Sequence, residues 1–235
     1  MSALLAASGL HKRFGGVMAT DDVSFTIGAR ELVCMIGPNG AGKSTLLNIL
    51  CGTVKPDQGE MIFDGASLSG LAEYQFARRG ILRKFQVPTV FPNMSVRQNL
   101  MVAGDASRHS YTDTDTDILL NRLALSQSAS ALAGTLAHGD RQRLELGLCL
   151  MGRPKLLLLD EPTAGLTSLE TAEIARLLQE LTATAAIIVI DHDMAFVRQL
   201  NCRTCVLHQG RLIRDGSFAE IERDAVVRAI YLAKE

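Results

Sequence analysis

The strongest chemical signal in the chain lies between Gly37 and Ser44. Gly37-Pro38-Asn39-Gly40-Ala41-Gly42-Lys43-Ser44 reads Gly-x-x-x-x-Gly-Lys-Ser, with Thr45 next. Glycines let a backbone curl until its N–H groups converge, and convergent N–H groups at the start of a helix make a cradle for phosphate oxygens. In such a cradle Lys43 reaches the β- and γ-phosphates of a nucleotide, and Ser44 offers a hydroxyl to Mg²⁺. A second signal lies about 115 residues further on, where Leu156 to Leu159 run straight into Asp160, Glu161 and Pro162. The carboxyl end of such a strand is where α/β sheets bind ligands. There Asp160 suits a water-mediated place in a magnesium shell, and Glu161 suits polarising an attacking water. Alone, an apolar run followed by Asp-Glu is more often a helix cap. Paired with the phosphate loop, it points to phosphoryl-transfer chemistry.

The elements that must position these groups are legible in outline. Glu31 to Ile36, Leu156 to Asp160, Ala186 to Ile190 and Thr204 to Leu207 are β-rich, and the middle two are unbroken apolar runs of the kind buried on both faces of a parallel sheet. Helical stretches separate them, beginning with Thr45 to Leu50. Ser95-Val-Arg-Gln98, Thr167-Ser-Leu-Glu170 and Ser217-Phe-Ala-Glu220 each have the spacing of a capping box at a helix start. The alternation predicts an α/β fold with a parallel sheet. Turn signals at Gly28 to Arg30, Asp57 to Gly59 and Asp64-Gly65 bracket Val23 to Ile27 and Glu60 to Phe63, which predicts an antiparallel patch. From about Pro88 to Gly147 the pattern is mostly helical, and Thr112-Asp-Thr-Asp-Thr-Asp117 reads as an exposed turn and helix start. One domain is expected, with a core made of residues 1–87 and 148–235 and a helical insertion over 88–147.

Composition narrows the function. The chain has 235 residues, 47% of them hydrophobic, enough for one sizeable core. The net charge is −1, without a long basic stripe, so nucleic acid is not an expected partner. No apolar run approaches the roughly 18 to 20 residues that cross a bilayer. The N-terminal segment has no basic stretch ahead of its short apolar one, against a secretory signal, so a cytoplasmic location is expected. The five cysteines are odd in number and scattered among apolar neighbours, which predicts reduced, packed thiols. Cys202-Arg-Thr-Cys205 has the spacing of half a zinc knuckle but no second pair to complete it.

Along nearly its whole length the sequence resembles the ABC ATPases, and the resemblance implies a P-loop NTPase (RecA-like) core. Phe14, in Lys-Arg-Phe-Gly-Gly, falls where that family stacks an aromatic ring on adenine. Gln86, in Arg-Lys-Phe-Gln, matches the family's Q-loop, which touches Mg²⁺ and water and senses the membrane partner. Leu136-Ala-His-Gly-Asp-Arg-Gln142 aligns with the signature Leu-Ser-Gly-Gly-Gln, which implies that Gly139 contacts the ATP of a partner cassette in a head-to-tail dimer. Ala137 lacks the usual hydroxyl, His138 replaces a glycine and Asp140 replaces a glutamine. Ala164-Gly-Leu-Thr167 resembles the D-loop, with Thr167 where Asp is common; Thr167 is equally a helix cap. His192, after the run ending at Asp191, matches the switch histidine that bonds the γ-phosphate.

The resemblance implies an enzyme that uses ATP and Mg²⁺. Its catalytic residues would be Lys43, Gln86, Glu161 and His192, and its metal site Ser44, Gln86 and Asp160. The loop Gly37, Pro38, Asn39, Gly40, Ala41, Gly42, Lys43, Ser44 and Thr45 would hold the nucleotide with Phe14. It further implies transmembrane permease subunits, a second cassette as homo- or heterodimer, an extracytoplasmic solute-binding protein reached indirectly, and a peripheral place on the inner face of the membrane. Within the family, Phe14-Gly-Gly, Val90 to Leu100, Asp191-His-Asp-Met194 and Val227 to Leu232 resemble importers of branched-chain amino acids, urea and short amides. Arg83 to Phe91 and Val206 to Gly210 lean toward the urea branch. A soluble non-transport ABC ATPase, or a nucleotide-binding cassette of low activity, is the alternative.

Overall fold

The computed structural model describes residues 3–84, 90–107 and 109–232. The chain opens with two long strands, β1 (Leu5–Phe14) and β2 (Val17–Ile27), and enters the core through β3 (Leu32–Ile36). The phosphate loop leads into α1 (Lys43–Leu50), and β4 (Gln58–Phe63) and β5 (Ala66–Ser67) return to α2 (Glu73–Arg78) and β6 (Ile81–Lys84). The helices α3 (Val96–Ala106), α4 (Asp113–Arg122) and α5 (His138–Leu150) follow. Strands and helices then alternate as β7 (Leu156–Asp160), α6 (Ser168–Leu181), β8 (Ala186–Ile190), α7 (Met194–Leu200) and β9 (Arg203–His208). A hairpin adds β10 (Arg211–Ser217), and α8 (Phe218–Arg223) and α9 (Ala225–Leu232) close the chain.

Two sheets result. The larger has the order β10-β9-β3-β8-β7-β6, parallel throughout except for the hairpin strand β10. The smaller, β2-β1-β4-β5, is antiparallel. The continuous apolar runs follow from burial on both sides. Cys34, Leu157, Leu159, Ile187 and Val189 pack with residues of α3, α5, α6 and α7. Their neighbours Val33, Met35, Leu156, Leu158 and Ile188 pack with α1 and the antiparallel sheet. Each fully buried leucine here contributes about 1.5–3 kcal/mol of transfer free energy, so a charge within β7 would be expelled to its end, where Asp160 stands.

The three capping boxes form as their spacing predicts. Ser95, Thr167 and Ser217 each accept from the backbone N–H three residues on, while Gln98, Glu170 and Glu220 reach back. Thr112 and Asp115 make a fourth, so the acidic repeat opens α4. Four strands escape the pattern: β1, β5, β6 and β10. β1 breaks its alternation with Ala6-Ala7-Ser8-Gly9 and register shifts, and β6 carries Arg83 and Lys84, whose charges mask a strand paired in parallel with β7. The helix bearing Gly147 continues to Leu150.

All five cysteines are free. Burial raises the thiol pKa of Cys34, pushes Cys149 and Cys205 up to about 12, and pushes Cys202 to about 11. Only thiolate reacts with alkylating agents. Iodoacetamide at pH 8 is therefore expected to leave Cys34, Cys149 and Cys205 unmodified in the folded chain and to label all five in denaturant, as read by peptide mass spectrometry. Labelling of Cys34 in the folded chain would contradict this packing.

Candidate active site

β3 ends at Ile36 and the loop turns at once into α1, so the strand fixes one end of the phosphate loop and the helix the other. The N-cap, Gly42, sits at φ 100°, and no side chain caps the helix. The N-terminal amides of α1 are thus oriented toward the loop with their dipole, the arrangement that binds anions. A Cβ at Gly42 would lie 2.1 Å from the Ala19 carbonyl oxygen of β2, so only glycine lets β2 close against the loop. Ala41 accepts from the Gly210 N–H at 3.0 Å, a second brace. Lys43 is buried, and its ammonium donates to the carbonyls of Gly37 (2.7 Å) and Pro38 (3.1 Å), which hold it over the loop. Ser44 is exposed.

The carboxylates arrive at the ends of neighbouring strands. Asp160 closes β7, and the Glu161 N–H donates to the carbonyl of Ile190 on β8 at 2.8 Å. Glu161 adopts φ 46°, a left-handed conformation that costs a non-glycine residue of order 1–3 kcal/mol and collects at functional sites. Its Oε1 lies 3.1 Å from Nδ1 of His192, which leads away from β8 and is exposed. Asp191 organises that turn from beneath. It is 2% exposed, accepts from the N–H groups of His192 (2.7 Å) and Asp193 (3.0 Å), and accepts from the Thr163 hydroxyl at 2.8 Å. Burial raises the pKa of Asp191, and these donors oppose the rise. Burial likewise raises that of Asp160, opposed chiefly by Arg83. Asp191, Thr163 and Arg83 were not picked out as site residues from the sequence. Only the Asp191-His192 adjacency offered a cue.

Phe14 is half exposed at the tip of the β1–β2 hairpin, with the Lys12 ammonium 5.5 Å from its ring centroid. The same hairpin meets the phosphate loop through Ala19. Gln86 lies outside the described residues. The signature-like segment opens α5, whose N-cap Ala137 makes no side-chain cap. His138 Nε2 lies 3.0 Å from the Ala164 carbonyl, joining this loop to the segment Ala164 to Thr167. Gly139 is buried where α5 meets α6, and a Cβ there would lie 2.3 Å from Glu170 Oε1, so a larger residue would displace the Glu170 side chain. Thr167 caps α6, its hydroxyl accepting from Glu170 N–H. Asp140 pairs with Arg143 at 3.1 Å.

A family model described as ABC transporter matches residues 20–164, a span that includes both the phosphate loop and the carboxylates. The chain belongs to the ABC transporter family. This ABC cassette is 37% identical over 250 residues to the high-affinity branched-chain amino acid transport ATP-binding protein LivG of Salmonella typhimurium, covering 98% of each chain. It is 34% identical over 252 residues to the corresponding protein BraF of Pseudomonas aeruginosa, again 98% of each. Among solved structures, the ADP conformation of MJ1267, an ATP-binding cassette of an ABC transporter, superposes with a TM-score of 0.89 at 27% identity over 99% of both chains. The cassette is thus an ATP-binding, ATP-hydrolysing subunit with the P-loop NTPase fold. Among the described residues, no helix is long and apolar enough to cross a membrane.

Proposed function

We propose that this cassette hydrolyses MgATP between two cassettes and so drives an importer whose solute is a branched-chain amino acid. The observation that carries the catalytic part is the contact between Glu161 and His192, 3.1 Å apart at the ends of adjacent strands. Glu161 polarises the attacking water and His192 orients it against the γ-phosphate. Lys43 and the loop from Gly37 to Thr45 bind the phosphates, and Phe14 stacks on the adenine. Gly139 and the amides at the start of α5 face the ATP held by the partner cassette. Among the described residues no cluster of three or more His, Cys, Asp or Glu could hold a metal by itself. Mg²⁺ suits the oxygens available, since it keeps several waters and binds through one or two protein groups plus phosphates. Ser44, Asp160 and Gln86 would supply those groups, and the ion would neutralise charge on the transferring phosphoryl group.

The branched-chain assignment rests on the names of LivG and BraF, which favour it over the urea branch toward which the loop sequence leans. The cassette would sit peripherally at the inner membrane face, on permease subunits served by an extracytoplasmic solute-binding protein. An open groove of about 720 Å³ runs between α2–β6 and the ends of α3 and α5, lined in part by Arg78, Arg79, Arg153 and Lys155. It is a place for a permease segment. Two measurements test the proposal. The purified chain, alone or with its permease, should turn over ATP in Mg²⁺ and not in EDTA; no turnover in either form would refute hydrolysis. Cells lacking the chain should lose uptake of labelled leucine while keeping urea uptake, and the reverse pattern would reassign the solute.

A further inference from the structure

Arg83 lies on β6, and its guanidinium joins three elements. One arm donates to Asp160 Oδ2 at 3.0 Å at the end of β7. The other donates to Asn48 Oδ1 on α1. The pair is deep, with the Arg83 side chain 11% and that of Asp160 3% exposed. Asn48 stands one helical turn after Ser44, on the helix that starts in the phosphate loop. The guanidinium therefore fixes the carboxylate that ends β7 relative to the helix that carries the Ser44 hydroxyl. A planar fork can hold two oxygens at a set separation, whereas a lysine ammonium is a point charge without that geometry.

We propose that Arg83 is a positioning residue for the magnesium shell: by pinning Asp160 to α1 through Asn48, it sets how much more tightly the site holds the magnesium complex of ATP than ATP alone. This rests on the role proposed above for Asp160. Groups that orient metal ligands are commonly worth about 10–100-fold in metal affinity.

The test is ATP binding by calorimetry on the full chain, in Mg²⁺ and in EDTA, for wild type, Arg83→Met, Arg83→Lys, Asp160→Asn and the Arg83→Met/Asp160→Asn double variant. Arg83→Met should lose about tenfold of the tightening that Mg²⁺ gives and bind in EDTA as wild type does. Arg83→Lys should recover part of the loss. The double variant should be no worse than Asp160→Asn, because residues acting through one another are non-additive. Equal weakening in Mg²⁺ and EDTA, an unchanged magnesium effect, or additivity in the double variant would each overturn the proposal. Should Arg83→Met not fold, Asn48→Ala removes one anchor only and should cost about threefold of the magnesium effect; no change there overturns the proposal as well. Failure of the underlying role reads differently: wild type and Asp160→Asn would then show the same dependence on Mg²⁺.

Discussion

Glu161→Gln should bind ATP as wild type does and lose turnover, with kcat lower by about 10² to 10⁴. The amide keeps the shape of the side chain and its reach to His192, 3.1 Å away, and removes the basic oxygen. The strain at φ 46° is a backbone property and is retained, so the geometry of the site is unaltered while its proton acceptor is gone. Steady-state ATPase rates beside an ATP-binding titration decide the matter. A fall in kcat of less than about tenfold would place the base elsewhere, and a parallel fall in ATP affinity would mean that Glu161 acts in binding. Size-exclusion chromatography of the variant in MgATP should show an ATP-stabilised dimer, because the closed state then has no route to hydrolysis.

Gly42→Ala should damage binding more than Gly40→Ala in the same loop. At φ 100° an alanine pays the left-handed cost, of order 1–3 kcal/mol, and its Cβ meets the Ala19 carbonyl oxygen at 2.1 Å. That oxygen belongs to the backbone of β2, which is held in the antiparallel sheet, so the contact is relieved only by moving the loop. A loss of ATP affinity of about tenfold or more is expected, equivalent to about 1.4 kcal/mol. Gly40→Ala is the control. Gly40 also has a positive φ, 78°, but nothing lies within 4 Å of its added Cβ. Equal effects of the two substitutions on ATP titrations would show that strain alone limits the loop, and that the close approach of β2 does not matter.

The asymmetry between what the sequence revealed and what it hid has a physical basis. The Gly37-to-Ser44 pattern is contiguous, its glycines, lysine and serine set at spacings fixed by one turn of backbone, so it can be read without a fold. The same holds for β7 and β8. The four leucines of β7 and the five residues of β8 are buried on both faces and apolar, and the first polar groups, Asp160 and Asp191, mark where the strands leave the core. The capping boxes at Ser95, Thr167 and Ser217 were legible because their bonds span three residues.

The groups that hid act across the chain. Arg83 reads as a charge that should not be in a strand, and only the parallel pairing of β6 with β7 brings it to Asp160, 77 residues away. Lys84 was hidden likewise until Glu145 of α5 met it at 2.9 Å in the interior. Gly139 announced a resemblance, while the neighbour that a Cβ there would meet, the Glu170 side chain of α6 at 2.3 Å, belongs to the packing of two helices. Thr167 stood open between two roles, and geometry shows it capping α6. The sequence by itself determined the Gly37-to-Ser44 loop pattern, the buried strands of the parallel sheet and the helix starts at Ser95, Thr167 and Ser217, because each depends on neighbours within a few residues. The tertiary structure alone decided which buried charge faces which carboxylate, because a low-dielectric interior tolerates an ion only beside its partner, and those partners come from distant parts of the chain.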